Sequence, residues 1–588
     1  MNILTKAWIL SRIIQWRISI GRYNVRRRYV NIDNPKFKSA IDAATMIHDG
    51  DVIAFSGLAG NARPAAMYYA IKHLFRKTGH PRRLTVISAG GQGGRGKIPS
   101  TLEEIGIKGL CTRLIAGHLE TYKSFLRLAD KNKMELHCIP QGLCSLLYNQ
   151  QANGKNWIIT ETGKGTFVDP ECGRGSPVGG KGHHQLVTIE EEKLRFEMPC
   201  INVAIFNAPA ADRRGNIYMK NAVMVSDHRD IAHAAKKNNG IVIANVGQVV
   251  DEGYDEIFLS GDQIDAVVVD PKTEQTMVFP HRRHFPHMTL HGNASPDKGL
   301  EMVRFINKIM GITPIRTEIN SVLARVAATQ VVQHAFKGCH VNIGVGLPEE
   351  VCCLLYDSGL LDEDITLFTE AGIVGGIPTP GIFFGGAISP REMIDASALF
   401  KRTEEGLDLA IFGALQIDGE GNVNVSKRGE GVINYVGPGG FIDLSSHAKV
   451  VIFMSTWMAH ARIVITDMGI RIETPGKPKF VDKVDEISFN GKVALGKGQK
   501  VIYITEPGVF ELTARGMELK AVMPGIDIRK DILGATPMRI ILPEQGDIPV
   551  VPLSVVTGKD FMLELSTVEP GKTSSIPTRV HESALSSK

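Results

Sequence analysis

The first 32 residues of this 588-residue chain contain no aspartate or glutamate. Lys6, Arg12, Arg17, Arg22, Arg26, Arg27 and Arg28 punctuate apolar stretches such as Ala7-Trp8-Ile9-Leu10 and Ile13-Ile14, so no apolar run there approaches the roughly 20 residues of a membrane-crossing helix. An acid-free, arginine-rich, amphipathic leader reads as an organelle transit peptide. On that reading residues 1–32 lie outside the fold and the protein resides in the mitochondrial matrix or a related organelle. The alternative is a cytoplasmic protein whose basic arm packs on the body or lies on an anionic membrane surface. Beyond the leader the chain lacks an excess of either charge, because seven leader cations account for the formal net charge of +5; nothing marks a nucleic-acid surface. Closely spaced cysteine pairs of the zinc-site kind are absent, the eight cysteines being scattered from Cys111 to Cys353, which excludes a secreted disulfide scaffold and points to a reduced compartment. The chain also has no phosphate-loop lysine and no complete dinucleotide fingerprint. His281, His284, His287 and His291 fall within eleven residues, but Pro280 and Pro286 break any helix that would align them, and no metal site is expected.

What the chain has in abundance is glycine, 61 residues, in a composition that is 43% hydrophobic and 22% charged. This describes a globular α/β protein with many strand-to-helix turns and room for two large domains. The chain also echoes itself. Leu84-Thr85-Val86-Ile87-Ser88 into Gly90-Gly91-Gln92-Gly93 has the strand-then-glycine shape of Ile365-Thr366-Leu367-Phe368-Thr369 into Gly372-Ile373-Val374-Gly375. Ala204-Ile205-Phe206, Asp212 and Gly215-Asn216-Ile217 align without gaps with Ala410-Ile411-Phe412, Asp418 and Gly421-Asn422-Val423. Val52-Ile53-Ala54-Phe55 before Gly57 and Gly60 pairs more loosely with Cys339-His340-Val341-Asn342-Ile343 before Gly344 and Gly346. Two related open α/β domains follow, residues 33–297 and 298–567, with residues 568–588 as a frayed tail. The spacing of the echoes requires an insertion in the first half, which the loop-rich segment 150–193 is expected to supply.

Glu370 stands out in this frame. It ends a buried-type strand and precedes a glycine loop, at the mouth of a sheet where α/β proteins bind their ligands. Most carboxylates at strand ends are merely solvated or paired. At the equivalent place the first half carries Ala89, so the scaffold itself does not require a carboxylate there.

With these motifs the chain resembles the family I coenzyme A transferases in their fused two-half form, the group of acetate, propionate and succinyl-CoA:3-oxoacid CoA-transferases. The resemblance rests on Asp49-Gly50 through Ile53-Ala54-Phe55 to Pro64, on Thr369-Glu370-Ala371-Gly372-Ile373-Val374-Gly375, on Asn342-Ile343-Gly344-Val345-Gly346, on the segment from Gly421 to Lys427, and on Gly437-Pro438-Gly439-Gly440-Phe441-Ile442-Asp443. Ser56, Leu58, Ala62, Thr369 and Ala371 depart from the family signatures. The resemblance implies that Glu370 is a nucleophile that becomes a γ-glutamyl-CoA thioester in a ping-pong exchange of CoA between a short-chain acyl-CoA and a carboxylic acid (acetate, propionate, succinate or acetoacetate, hence also ketone-body chemistry). An ordinary carboxylate is already ionised at neutral pH, so neither an activating base nor a metal is needed.

Backbone N–H groups of Gly439 and Gly440 are the expected oxyanion donors, with the side-chain amide of Asn424 as a further one. Gly344 and Gly346, together with Gly57 and Gly60, are expected to offer N–H groups and a helix dipole to CoA or to let its pantetheine pass. Gln92 and Gln248 are expected to hydrogen-bond substrate. CoA is a substrate rather than a tightly held cofactor, and the resemblance implies a homodimer or homotetramer. Two other functions fit the same residues: an acyl-CoA hydrolase using the same glutamate, and a non-catalytic module sensing CoA esters or sugars.

Overall fold

The computed structural model describes residues 1–93, 98–178, 184–251, 253–254, 256–280, 284–311, 316–544 and 546–565. Its frame is a pair of large sheets. In the first, β1 (Phe37–Lys38), β2 (Val52–Phe55), β3 (Leu84–Ser88), β4 (Cys111–Ala116), β5 (Glu135–Cys138), β6 (Val203–Asp212), β7 (Ile241–Val250) and β8 (Ala266–Val269) run parallel in the order β1-β8-β7-β6-β2-β3-β4-β5. Strands such as Leu84-Thr85-Val86-Ile87-Ser88 are apolar or β-branched up to the closing serine and buried along their whole length, as a parallel strand covered on two sides must be.

The second sheet is built from β9 (Cys339–Ile343), β10 (Ile365–Thr369), β11 (Ile373–Val374), β12 (Glu392–Met393), β13 (Leu407–Gly413), β14 (Ala448–Met454), β15 (Lys500–Ile504), β16 (Gly508–Thr513) and β17 (Gly516–Val522), in the order β12-β11-β10-β9-β13-β14-β15-β16-β17. Its five middle strands are parallel and its flanks antiparallel.

The internal echoes are structural equivalences down to register. The order β8-β7-β6-β2-β3 recurs as β15-β14-β13-β9-β10. The paired residues Ile53 and Val86 correspond to Val341 and Leu367, and Ala54 and Ala204 to Asn342 and Ala410. The ungapped echo at Asp212 and Asp418 is one turn used twice. Asp212 accepts the N–H groups of Arg214 and Asn216, and Asp418 those of Glu420 and Asn422; each following asparagine then receives the N–H of a distant glycine, Gly261 or Gly491. A carboxylate with two local N–H donors fixes such a turn, so this echo is scaffolding. The insertion differs from expectation. It begins well before residue 150, because β4 and β5 extend the first sheet and have no parallel counterparts beside β10, where the chain instead turns back through the short antiparallel β11 and β12.

Helices carry the joint between the halves. We label α1 (Ile3–Ser19), α2 (Gln141–Ala152), α3 (His228–Lys237), α4 (Glu318–His334), α5 (Glu349–Asp357), α6 (Ala396–Gly406) and α7 (Phe441–His447). α3 lies on β6 and β7 of the first sheet, α6 and α7 lie on β13 of the second, and α2 packs against all three, so the layers run sheet, helices, sheet. Ion pairs and hydrogen bonds cross the joint, among them Arg229 with Asp395 at 2.9 Å and Ser397 with Asp230 at 2.5 Å.

Residues 1–32 do not lie outside the fold: the leader packs on the body, as the alternative reading of a basic arm expects. α1 starts at Asn2, whose side chain caps Thr5 N–H, and buries Ile9, Ile13 and Trp16 in a core shared with Met277, Val278, Phe279 and Phe285. Arg12 is buried with them and acts with Arg63 on the half-buried Glu274, while Trp8 lies 6.1 Å from Phe279 and Tyr23 stacks on Tyr69 at 5.0 Å. The physical cause is the spacing: residues 9, 13 and 16 repeat on one helical face and need an apolar partner surface. Ile13→Ala should therefore lower stability by roughly 2–4 kcal/mol in urea denaturation. An unchanged midpoint would show that α1 detaches without consequence.

Candidate active site

Both halves end strands at one cavity of about 460 Å³, within the range of small-molecule sites. From the first half come Leu58, Gly60, Gly91, Gly93, His118 and Gln141; from the second, Gly344, Gly346, Glu370, Ile382, Phe384, Arg428, Gly437, Gly439 and Lys479. Glu370 follows β10 at its C-terminal end, and Thr369 just before it is pinned by a 2.8 Å hydrogen bond from its hydroxyl to the Gly385 carbonyl.

The glutamate faces backbone. A Cβ on Gly440 would lie 2.9 Å from Glu370 Cδ, and one on Gly439 3.8 Å from Glu370 Oε2 and 3.9 Å from Gln141 Oε1. Only glycine permits that approach at 440. Burial pushes the Glu370 carboxyl up to about 7, opposed by one hydrogen bond from Gly440 N–H. Among the described residues no lysine or arginine forms an ion pair with it. The result is a carboxylate held at a cavity wall with little compensation, half protonated near neutral pH.

The segment that presents Gly440 is fixed by the first half. Gln141 N–H donates to the Gly439 carbonyl at 2.8 Å, and Gly142 and Leu143 N–H donate to the two carboxyl oxygens of Asp443, each at 2.9 Å. These are the first N–H groups of α2, which have no partner within the helix. A side chain at 142 would collide with Asp443 and Phe400, at 2.6 Å from each, so glycine is required there too. In the same seam Gly439 N–H donates to the Gly117 carbonyl at 2.9 Å, and Gly117 N–H to the Ala89 carbonyl at 3.1 Å. The first half's equivalent of Glu370 is thus covered by inserted chain, and Ala89 is buried.

Several expected contacts fall elsewhere. Gly439 N–H is engaged with Gly117, so it is not a free oxyanion donor; Gly440 N–H alone of the pair faces Glu370. Asn424 is fully buried outside the cavity lining, with its amide spent on Gln416 and the Lys427 carbonyl and its oxygen on the N–H groups of Ser426 and Lys427, so it shapes a loop. Gln92 is buried beneath the cavity, bonded to Tyr68 and Ser88. Gln248 lies on β7, paired with Ala210, away from the cavity. Gly57 serves a turn, since a Cβ there would meet the Ala62 carbonyl at 2.7 Å, whereas Gly60 does line the cavity and is held 2.5 Å from the Ile382 carbonyl by the same measure. Gly344 and Gly346 line it as well, and the space beside Gly346 is open. The first turn of α5 behind them already carries Glu349 and Glu350, paired with Arg316 at 3.2 and 3.0 Å. This loop offers room rather than an anion hole. Of the histidine cluster, His281 lies outside the described residues, and His287 packs its ring 5.0 Å from Phe285.

Four lining residues had no sequence signal. Gln141 and His118 arrive on the insertion, which has no internal counterpart to align with. Lys479 sits on a connection after β14, near Arg428; burial lowers the Lys479 pKa, Glu506 opposes that and Arg428 adds to it. Arg428 is ion-paired with Glu120, which lines the same cavity, so Lys479 is the group that adds positive charge to this wall. Nothing in a lone lysine between a proline and a phenylalanine foretells that.

Comparison with known proteins agrees with this architecture. No model of a protein family matches the chain. The chain is 32% identical over 511 residues to the caffeate CoA-transferase of Acetobacterium woodii, covering 85% of this chain and 93% of the relative. It is 30% identical over 508 residues to the acetate CoA-transferase YdiF of Escherichia coli (strain K12), covering 84% and 90%. Among solved structures, the acyl-CoA transferase YdiF of E. coli O157:H7, crystallised as a thioester complex with CoA, superposes with a TM-score of 0.77 at 26% identity, over 88% of this chain and 95% of that one. With two fused α/β halves, a seam cavity and relatives of this identity over most of its length, the chain belongs to the CoA-transferase family and is a CoA-transferase enzyme.

Proposed function

We propose that this CoA-transferase works through a covalent cycle on Glu370, carried by one observation above all: a carboxylate with no cation partner among the described residues, raised toward neutrality, set against the N–H of Gly440. In the first step a Glu370 oxygen attacks the thioester carbonyl of acyl-CoA; a C–O bond forms, the C–S bond breaks, and CoA leaves as thiolate. The thiolate then attacks Cδ of the resulting anhydride, forming the glutamyl thioester and releasing the acid with one of the glutamate's oxygens. A second acid reverses both steps and restores that oxygen. Gly440 N–H is hydrogen-bonded to the glutamate itself, so the charge it meets is the oxyanion that develops on the glutamyl carbon in the thiolate step, rather than the one on the substrate carbonyl. A thioester complex with CoA in the E. coli relative supports such an intermediate.

The substrate end of the cavity is apolar. Leu58, Met277, Ile382 and Phe384 line it, with Gly60 bringing the first-half loop onto Ile382. That wall supports a monocarboxylate of the acetate or propionate class over succinate, and the names of the relatives, acetate and caffeate, fall on the same side. Lys479 supplies positive charge suited to the phosphates of CoA, Arg428 beside it being paired with Glu120. For the compartment, the leader composition supports organelle import with retention of a packed leader.

The cycle is tested by weighing the protein. After incubation with acetyl-CoA and no acceptor acid, the wild type should gain the mass of CoA less water, and Glu370→Ala should gain nothing; an adduct shared by both would place the chemistry elsewhere. Because the ionised form attacks, kcat/KM for the acyl-CoA half-reaction should fall tenfold per pH unit below an inflection near 7, and an inflection near 4.5 would contradict it. The stability sign runs oppositely. A raised folded-state pKa means the folded protein favours the neutral carboxyl, a contribution present at acid pH and lost as pH rises through about 7. Glu370→Gln should therefore raise Tm more at pH 8.5 than at pH 5. Gly440→Ala, which forces a methyl onto Glu370, should cost kcat about 10²-fold or more while the fold persists.

A further inference from the structure

The helix that buries Ile9, Ile13 and Trp16 is apolar on its other side as well. At about 100° per residue, Ile3, Ala7, Leu10, Ile14 and Ile18 fall within a sector of roughly 80° facing solvent. They are exposed in the structure, Ile3 by 82%, Ile14 by 57% and Ile18 by 58%. Leu4 and Trp8 widen one edge, exposed by 80% and 45%. Lys6 and Arg17 flank the other edge, and Arg22, Arg26, Arg27 and Arg28 follow on the surface, in a stretch without a single acid before Asp33.

A contiguous apolar stripe of this size on an otherwise folded body needs a cover. Its cationic frame selects the cover. A second copy of the chain, pairing antiparallel through the stripe, would set Lys6 of one helix opposite Arg17 of the other and gather two acid-free arms at one place, which like charges oppose. An anionic bilayer meets both features at once, taking the aliphatic residues and Trp8 into the headgroup boundary while the lysine and arginines stay among the phosphates. We propose that the outward face of α1 docks the folded enzyme on anionic lipid, the inward face serving as the bolt that holds the helix to the body.

The test uses full-length protein and sedimentation with sucrose-loaded vesicles of phosphatidylcholine alone or with 30% phosphatidylglycerol. Wild type should sediment with the anionic vesicles, fail to do so with neutral ones, and be released as NaCl is raised to 0.5 M. Ile14→Asp, and separately Lys6→Glu with Arg17→Glu, should each reduce the partition coefficient at least tenfold with CoA-transferase activity and Tm unchanged, since these side chains point away from the body. Equal binding to both vesicle types, absence of binding, or wild-type binding by Ile14→Asp would overturn the proposal. So would a halved solution mass of Ile14→Asp by light scattering, which assigns the stripe to a second copy.

Discussion

The first turn of α2 against the segment from Gly439 to Asp443 is the contact on which the site depends. A helix that begins at Pro140 has no capping side chain, and α2 carries no acid in its own first turn. Its leading N–H groups are buried, so partners must come from elsewhere, and the second half supplies three: the Gly439 carbonyl and both oxygens of Asp443. If the halves docked without these bonds, the first would bury N–H groups unpaired and the second would bury Asp443 without donors, at about 1–3 kcal/mol for each group left unsatisfied. The docking that removes these deficits is also what lays Gly440 on Glu370. Site assembly and domain assembly are one event, and neither half contains a finished cavity.

Duplication explains why there is one such cavity and not two. The shared strand order brings two equivalent strand ends to the seam, one followed by Ala89 and the other by Glu370. In the first half the insertion adds β4, β5 and α2, and the loop after β4 places Gly117 on the Ala89 carbonyl. That copy is closed by its own chain. In the second half no such extension exists, the chain turning back through β11 and β12, so Glu370 stays open to the seam. What both copies keep is the part that holds shape, the aspartate and asparagine turns at Asp212 and Asp418 and the register of the central strands.

This division also accounts for what could be read from the sequence. The strand echoes and the Glu370 motif were legible because local composition encodes them: a β-branched run declares a buried strand, and glycine declares a backbone that must be approached. The echo at Asp212 and Asp418 was legible too, though not the turn it builds. What stayed hidden was set by contacts distant along the chain. Gly439 looked like a donor, but whether its N–H is free depends on Gly117, more than three hundred positions away. Asn424 carries the right chemistry for an oxyanion and spends it on its own loop. Gln141 had no pattern to betray it, since it acts by where α2 docks. The leader misled because the spacing of Ile9, Ile13 and Trp16 is an amphipathic signal that a targeting helix and a docked helix share.

The electrostatics of the cavity follow from keeping its two tasks apart. A cation beside Glu370 would stabilise the carboxylate, lower its pKa and weaken it as a nucleophile. Among the described residues none pairs with it: burial raises its pKa, a single N–H opposes that, and the charge it interacts with is the like one of Asp443. The positive groups stand at another wall, where Lys479 feels Arg428 and Glu506 rather than Glu370. Positive charge is thus available to hold an anion without quenching the attacking group. In the proposed cycle the glutamate's charge is itself temporary, since the anhydride and thioester are neutral at that position. A buried, unpaired carboxylate is costly only while ionised, and acylation relieves the cost. A cation placed to help the resting enzyme would be left without its partner in every covalent intermediate. One backbone N–H serves throughout, donating to carboxylate, oxyanion or carbonyl oxygen in turn, and glycine at 440 is the residue that lets it come close enough.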